Sequence, residues 1–126
     1  MATVEIVSFG FGHAGAPAAH LVLDLREHFR DPHVDPRMRE LTGFDRLVRR
    51  TVLHTSGVRR LLRASTRQVQ AFVAGPSGGR IVVAPGCAGG RHRSVVVAEQ
   101  LARRLRRRGH EVTVEHRDIR LPVIDR

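Results

Sequence analysis

Lysine is absent from this chain of 126 residues: all 22 basic side chains are arginine, against 12 acidic ones, for a formal charge of +10. Codon bias is the ordinary origin of such a pattern, but the net charge favours anionic partners whatever its cause. A phosphate loop of the Walker type needs a lysine, so kinase or GTPase chemistry by that route is excluded. Cysteine occurs once, at Cys87, which rules out internal disulfides and a multi-cysteine zinc site. The eight histidines are scattered and form no i, i+4 ligand pair, so no metal and no cofactor is expected. Tryptophan and tyrosine are missing, which leaves stacking of nucleic-acid bases poorly supplied. No apolar run approaches the roughly 18 residues of a membrane span. No basic segment followed by an apolar stretch opens the chain. A cytoplasmic location without a membrane partner is the expectation.

What is present suffices for one core. Hydrophobic residues make up 41%, and the length suits a single domain over residues 1–126. Strands are expected at Thr3 to Phe9, Leu21 to Leu25, Arg80 to Pro85 and Val112 to His116. Helices are expected from Arg46 to Leu53 with Asp45 as cap, from Val58 to Val73, and along the stripe Ala98, Leu101, Ala102 and Leu105 up to Gly109. Residues 28–45 read as a long loop and Pro76 to Gly79 as a turn. Strands separated by helices imply an α/β fold with a small, largely parallel sheet flanked by helices. In such sheets ligands bind beyond the carboxyl ends of the strands, where the turns Gly10 to Gly15 and Gly86 to Gly90 both belong.

The second turn carries the chemistry. Gly86-Cys-Ala-Gly-Gly-Arg-His-Arg-Ser94 joins a strand to a helix and offers unpaired backbone N–H groups at the positive end of the helix dipole. Cys87, Ala88, Gly89, Gly90, Arg91, His92, Arg93 and Ser94 are therefore the candidate phosphate-binding residues. Arg93 is expected at a pocket mouth, where its loss would spare the fold. His13, in the first turn, could reach the same ligand. Gly10 to Gly15 matches G-x-G-x-x-G literally, but too few residues follow for the helix a dinucleotide site requires.

Two alternatives stand beside this reading. Cys87 to Arg93 also fits the Cys-x5-Arg-Ser loop of cysteine-dependent phosphatases, with Cys87 as nucleophile, Arg93 as clamp and Asp31, Asp35 or Asp118 as acid. Arg103, Arg104, Arg106, Arg107 and Arg108 crowd one helix. They form either a solvated face or a contact for nucleic-acid phosphates.

The motifs Ser8-Phe-Gly-Phe11 with His13, Asp24-Leu-Arg26, Asp31-Pro-His33, Leu41-Thr-Gly-Phe-Asp45, Gly86 to Ser94, Ala98-Glu99 and His116-Arg-Asp118 resemble the C-terminal domain of the RapZ-type RNase adapter proteins, in its order. With no Walker loop in these 126 residues, the kinase-like N-terminal domain of that family is not expected within them. The resemblance implies a non-catalytic α/β domain that forms homo-oligomers and binds an amino-sugar phosphate of the glucosamine-6-phosphate class and a structured small RNA. Its ligand positions carry over to His13, Gly89 and Arg93, with Ala88 where the family commonly has threonine. The RNA contacts would fall on the arginine helix and Arg117. The family's basic tail is replaced here by Leu121-Pro-Val-Ile124, with only Arg120 and Arg126 nearby.

Overall fold

Alternation along the strands decides which side of the sheet is buried. In β1 (Thr3–Gly10), Val4 and Ile6 are buried while Thr3, Glu5 and Val7 keep partial exposure. The computed structural model describes residues 2–76 and 79–124. It continues with β2 (Leu21–Asp24), α1 (Arg46–His54), α2 (Val58–Ala74), β3 (Arg80–Cys87), α3 (Arg93–Arg107) and β4 (Glu111–His116). The four strands form one sheet in the order β2-β3-β1-β4, and every pairing is parallel. The expected α/β class holds, and the sheet is wholly parallel.

All three helices contribute to one apolar cluster with Val4, Ile6, Ile81, Val83 and Val112, so they share one face of the sheet. Helix α3 lies deepest: Ala98, Leu101, Ala102 and Leu105 are fully enclosed, the stripe expected from their spacing. Its end is set by Gly109 at φ +87°, where the amides of Gly109 and His110 turn back to the carbonyls of Arg106 and Leu105. That pair of bonds closes the last turn in the left-handed glycine form.

Two local expectations change. Asp45 precedes α1 but makes no side-chain cap; its Oδ2 accepts from the Thr42 amide at 2.8 Å, tightening the turn before the helix. The long loop holds a single 3-10 turn, Pro32–Val34, capped by Asp31 through the His33 amide. Ser77 and Gly78 of the expected turn, and Arg126 of the tail, lie outside the described residues.

A core on one side of the sheet predicts a sharp contrast. Leu101→Ala should cost about 2–5 kcal/mol in denaturant unfolding. Val22→Ala, at a side chain 42% exposed, should stay within about 0.5 kcal/mol. Equal losses would contradict the one-sided core.

Candidate functional site

Because the strands are parallel, Gly10, Asp24, Cys87 and His116 all finish at one edge of the sheet. There the two glycine turns meet backbone to backbone. The amides of Phe11 and Gly12 donate to the carbonyls of Cys87 and Ala88 at 2.9 and 3.0 Å. A Cβ on Gly10 would fall 2.4 Å from the Gly89 carbonyl carbon, so no side chain fits. Gly90 is constrained twice, by φ +73° and by the Gly10 amide only 2.6 Å from where its Cβ would stand.

Asp118, in the turn after β4, locks this contact. Its Oδ2 accepts the Gly10 amide at 2.7 Å, and both its oxygens accept from the Arg117 guanidinium at 3.0 and 2.8 Å. Burial pushes the Asp118 carboxyl upward, but Arg117 and the Gly10 N–H together outweigh it and hold the group below its ordinary 3.8. His13 adds a smaller part of that field. The His13 amide closes the turn onto the Gly10 carbonyl at 3.1 Å.

The basic side chains of residues 86–94 do not converge on a common mouth. Arg91 spans three carbonyls, those of Leu41, Leu121 and Glu40, and so straps the 40–43 loop and the chain's last turn to the start of α3. His92 is 2% exposed and sits inside, at the helix start. Arg93 corrects the expectation of a surface clamp. It is 2% exposed, its Nη1 donates to the carbonyls of Leu25, Arg26 and Phe29, and its Nη2 stands 3.4 Å from Asp31. A guanidinium can satisfy several carbonyls that the loop after β2 leaves without a ladder, and Arg93 is used for that. Of its donors, Nε alone is buried without a partner among the described residues, and the same holds for His13 Nε2. Gly89, Gly90 and Ser94 are buried as well, while Ala88 stays partly open. The tail closes over this point: Ile124 Cδ1 lies 2.6 Å from where a Gly12 Cβ would stand, and the Leu121 amide donates to the Asp118 carbonyl.

The phosphatase alternative loses both its groups. Cys87 is 1% exposed and its thiol donates to Ser94 Oγ at 3.2 Å, while the Arg93 guanidinium is held by backbone carbonyls. A thiol enclosed in this way has no line of attack on a phosphoryl group. A second constellation was not legible in the sequence. Ser8 Oγ lies 2.7 Å from His116 Nδ1, and His116 Nε2 lies 2.8 Å from Glu99 Oε2. It has the make-up of a nucleophile triad, yet Ser8 is wholly buried. Hydrogen bonds through His116 thus join β1, β4 and α3.

The arginine helix divides. Arg106 donates to the Val112 carbonyl, and Arg117 is taken by Asp118 and the Gly15 carbonyl. Arg103 lines a separate small cleft with Glu99 and Phe44. Arg104, Arg107 and Arg108 instead face Arg63 and Arg67 of α2 across a cleft of about 440 Å³. The α2 arginines were missed, although Arg59, Arg63 and Arg67 recur at i, i+4 and therefore share one face.

The family model for the RapZ C-terminal domain matches residues 2–120. A protein of Thermobifida fusca named as a nucleotide-binding protein is 44% identical over 118 residues, covering 91% of this chain and 40% of its own length. Relatives with the same description from Symbiobacterium thermophilum (37% over 123 residues) and Streptomyces coelicolor (40% over 117 residues) cover 95% and 90% of the chain. The chain spans about two fifths of the length of these relatives. Among the described residues no helix is long and apolar enough to cross a membrane.

The strand-end lock makes two predictions. Gly10→Ala should lower stability by about 1–3 kcal/mol through forced backbone displacement, read as a fall in denaturation midpoint. Because the Asp118 carboxyl is held below 3.8, its stabilisation is present at neutral pH and lost as pH falls through that lowered value. Asp118→Asn should therefore be less stable at pH 7 and show a flatter loss of stability below pH 4. An unchanged acid limb would remove Asp118 from the lock.

Proposed function

This chain belongs to the RapZ C-terminal domain family, and from that premise we propose that it is a regulatory binding domain whose strand-end turns hold a phosphorylated amino sugar of the glucosamine-6-phosphate class. The observation that carries the reading is His13 Nε2, a buried nitrogen without a partner among the described residues on the segment that leaves β1. A buried donor left unpaired costs free energy, and a ligand oxygen offsets that cost. The α3 N-terminus adds the backbone N–H groups and dipole suited to a phosphate. Ala88 brings no hydroxyl to the loop, so the sugar is read chiefly by His13 and the backbone. The relatives' description as nucleotide-binding proteins agrees with a small-molecule role, although this chain matches only part of each.

A second reading is favoured by the arginines that face one another between α2 and α3. That surface offers phosphate contacts to structured RNA, with little base stacking to add sequence preference. Self-association belongs to the same family-based reading.

Calorimetry with glucosamine-6-phosphate is the first test. His13→Ala should weaken the sugar phosphate roughly tenfold to a hundredfold, the worth of a hydrogen bond to a charged group, and free phosphate less. Absence of binding by the unaltered protein would overturn the proposal. Gel shifts with a structured small RNA at several salt concentrations test the second reading. The double change Arg104→Glu, Arg107→Glu should flatten the salt slope and leave sugar-phosphate affinity intact. No RNA bound at low salt would leave the metabolite role alone.

A further inference from the structure

The cleft between α2 and α3 is lined by Arg63, Thr66, Arg67, Arg104, Arg107 and Arg108. The distribution of carboxylates makes it unusual: the sequence has none from Arg46 to Ala98, and none again from Gln100 to His110. Glu99, between these stretches, is engaged by His116. None of the five guanidiniums forms an ion pair among the described residues. Thr66 Oγ1 donates to the Leu62 carbonyl at 2.7 Å, so the floor of the cleft adds no negative side chain.

We propose that this cleft is a second anion site, built for a compact oligophosphate such as a di- or triphosphate group. Its arginines converge. Arg63 and Arg67 project from one helix and Arg104, Arg107 and Arg108 from the end of the other, around a volume within the range of small-ligand sites. Burial lowers the pKa of Arg104, and the neighbouring charges of Arg63, Arg59, Arg107 and Arg108 lower it further. Guanidinium stays charged regardless, so the folded chain keeps this repulsion. A single phosphate brings only about two negative charges to the five arginines on the two walls. A chain of phosphates meets both, through charged and often bidentate hydrogen bonds. Arg103 and Arg106 point elsewhere, so the unmatched cations gather in the cleft and not along the whole helix. From Arg93 to Arg104 the helix advances ~16 Å, so the cleft is separate from the strand-end turns and the inference goes beyond the sugar-phosphate reading.

The probe is inorganic tripolyphosphate, titrated into the full chain by calorimetry and compared with orthophosphate at matched ionic strength. Saturable binding is expected, with tripolyphosphate raising the melting temperature by linkage. Arg63→Gln and Arg104→Gln should each weaken it about tenfold, as loss of a charged hydrogen bond does, while Arg103→Gln leaves it unchanged. Without ligand, Arg104→Gln should melt no lower than the parent, because it removes repulsion; this guards against loss of fold. Tripolyphosphate binding no tighter than orthophosphate would overturn the proposal, as would equal weakening by Arg103→Gln and Arg104→Gln. Structured RNA held through these arginines without tripolyphosphate binding would overturn it too, in favour of a nucleic-acid track. Glucosamine-6-phosphate affinity depends on His13 and not on these variants, so the two readings fail separately.

Discussion

The approach of Gly10 to Gly89 and Gly90 brings the backbones of two strand ends closer than any side chain allows, and the rest of the strand-end edge is arranged around it. Asp118 reaches in from the turn after β4 to take the Gly10 amide, and Arg117 supplies the countercharge that keeps this carboxylate ionised though buried. The start of α3 is thereby fixed against the first strand. A helix N-terminus held in register with other donors meets an anion with little reorganisation. This contact provides that register.

Positive charge in this chain serves two ends. Arg91, Arg93, Arg106 and Arg117 tie backbone carbonyls together, filling the part that ladders and caps play in more regular loops. Arg63, Arg67, Arg104, Arg107 and Arg108 have no such occupation and face one another across a cleft. Charge that organises the fold is matched by carbonyls, whether enclosed as at Arg93 or exposed as at Arg106. Charge available to a partner is clustered and unmatched. Net charge alone does not separate the two kinds, but the hydrogen bonds do.

The fold was largely legible because its signals are local. Val4 and Ile6 alternate, Leu101 and Leu105 recur at helical spacing, and Gly109 stops the helix, each through short-range chemistry. The edge that carries the candidate site was also legible, since parallel strands place every carboxyl end together. Side-chain direction was not. Arg93 sits in an attractive motif, yet the partners that turn it inward, Leu25, Arg26 and Phe29, are more than sixty residues away in sequence. The Ser8, His116 and Glu99 clamp and the α2 wall of the arginine cleft also depend on contacts between separate elements. Ile124 over Gly12 had no sequence signal.

The central claim is that His13 and the opening of α3 form one anion site around the glycine contact. It is tested most directly by a nitrogen-detected NMR titration with glucosamine-6-phosphate, following the His13 ring nitrogens and the amides of Gly89, Gly90 and Arg93 together. The account predicts that these signals move along one saturable isotherm, with His13 Nε2 shifting as it gains a hydrogen-bond partner, while the Arg104 and Arg107 amides stay still. Shifts confined to the arginine cleft, with His13 and the glycine amides unmoved at saturation, would contradict it.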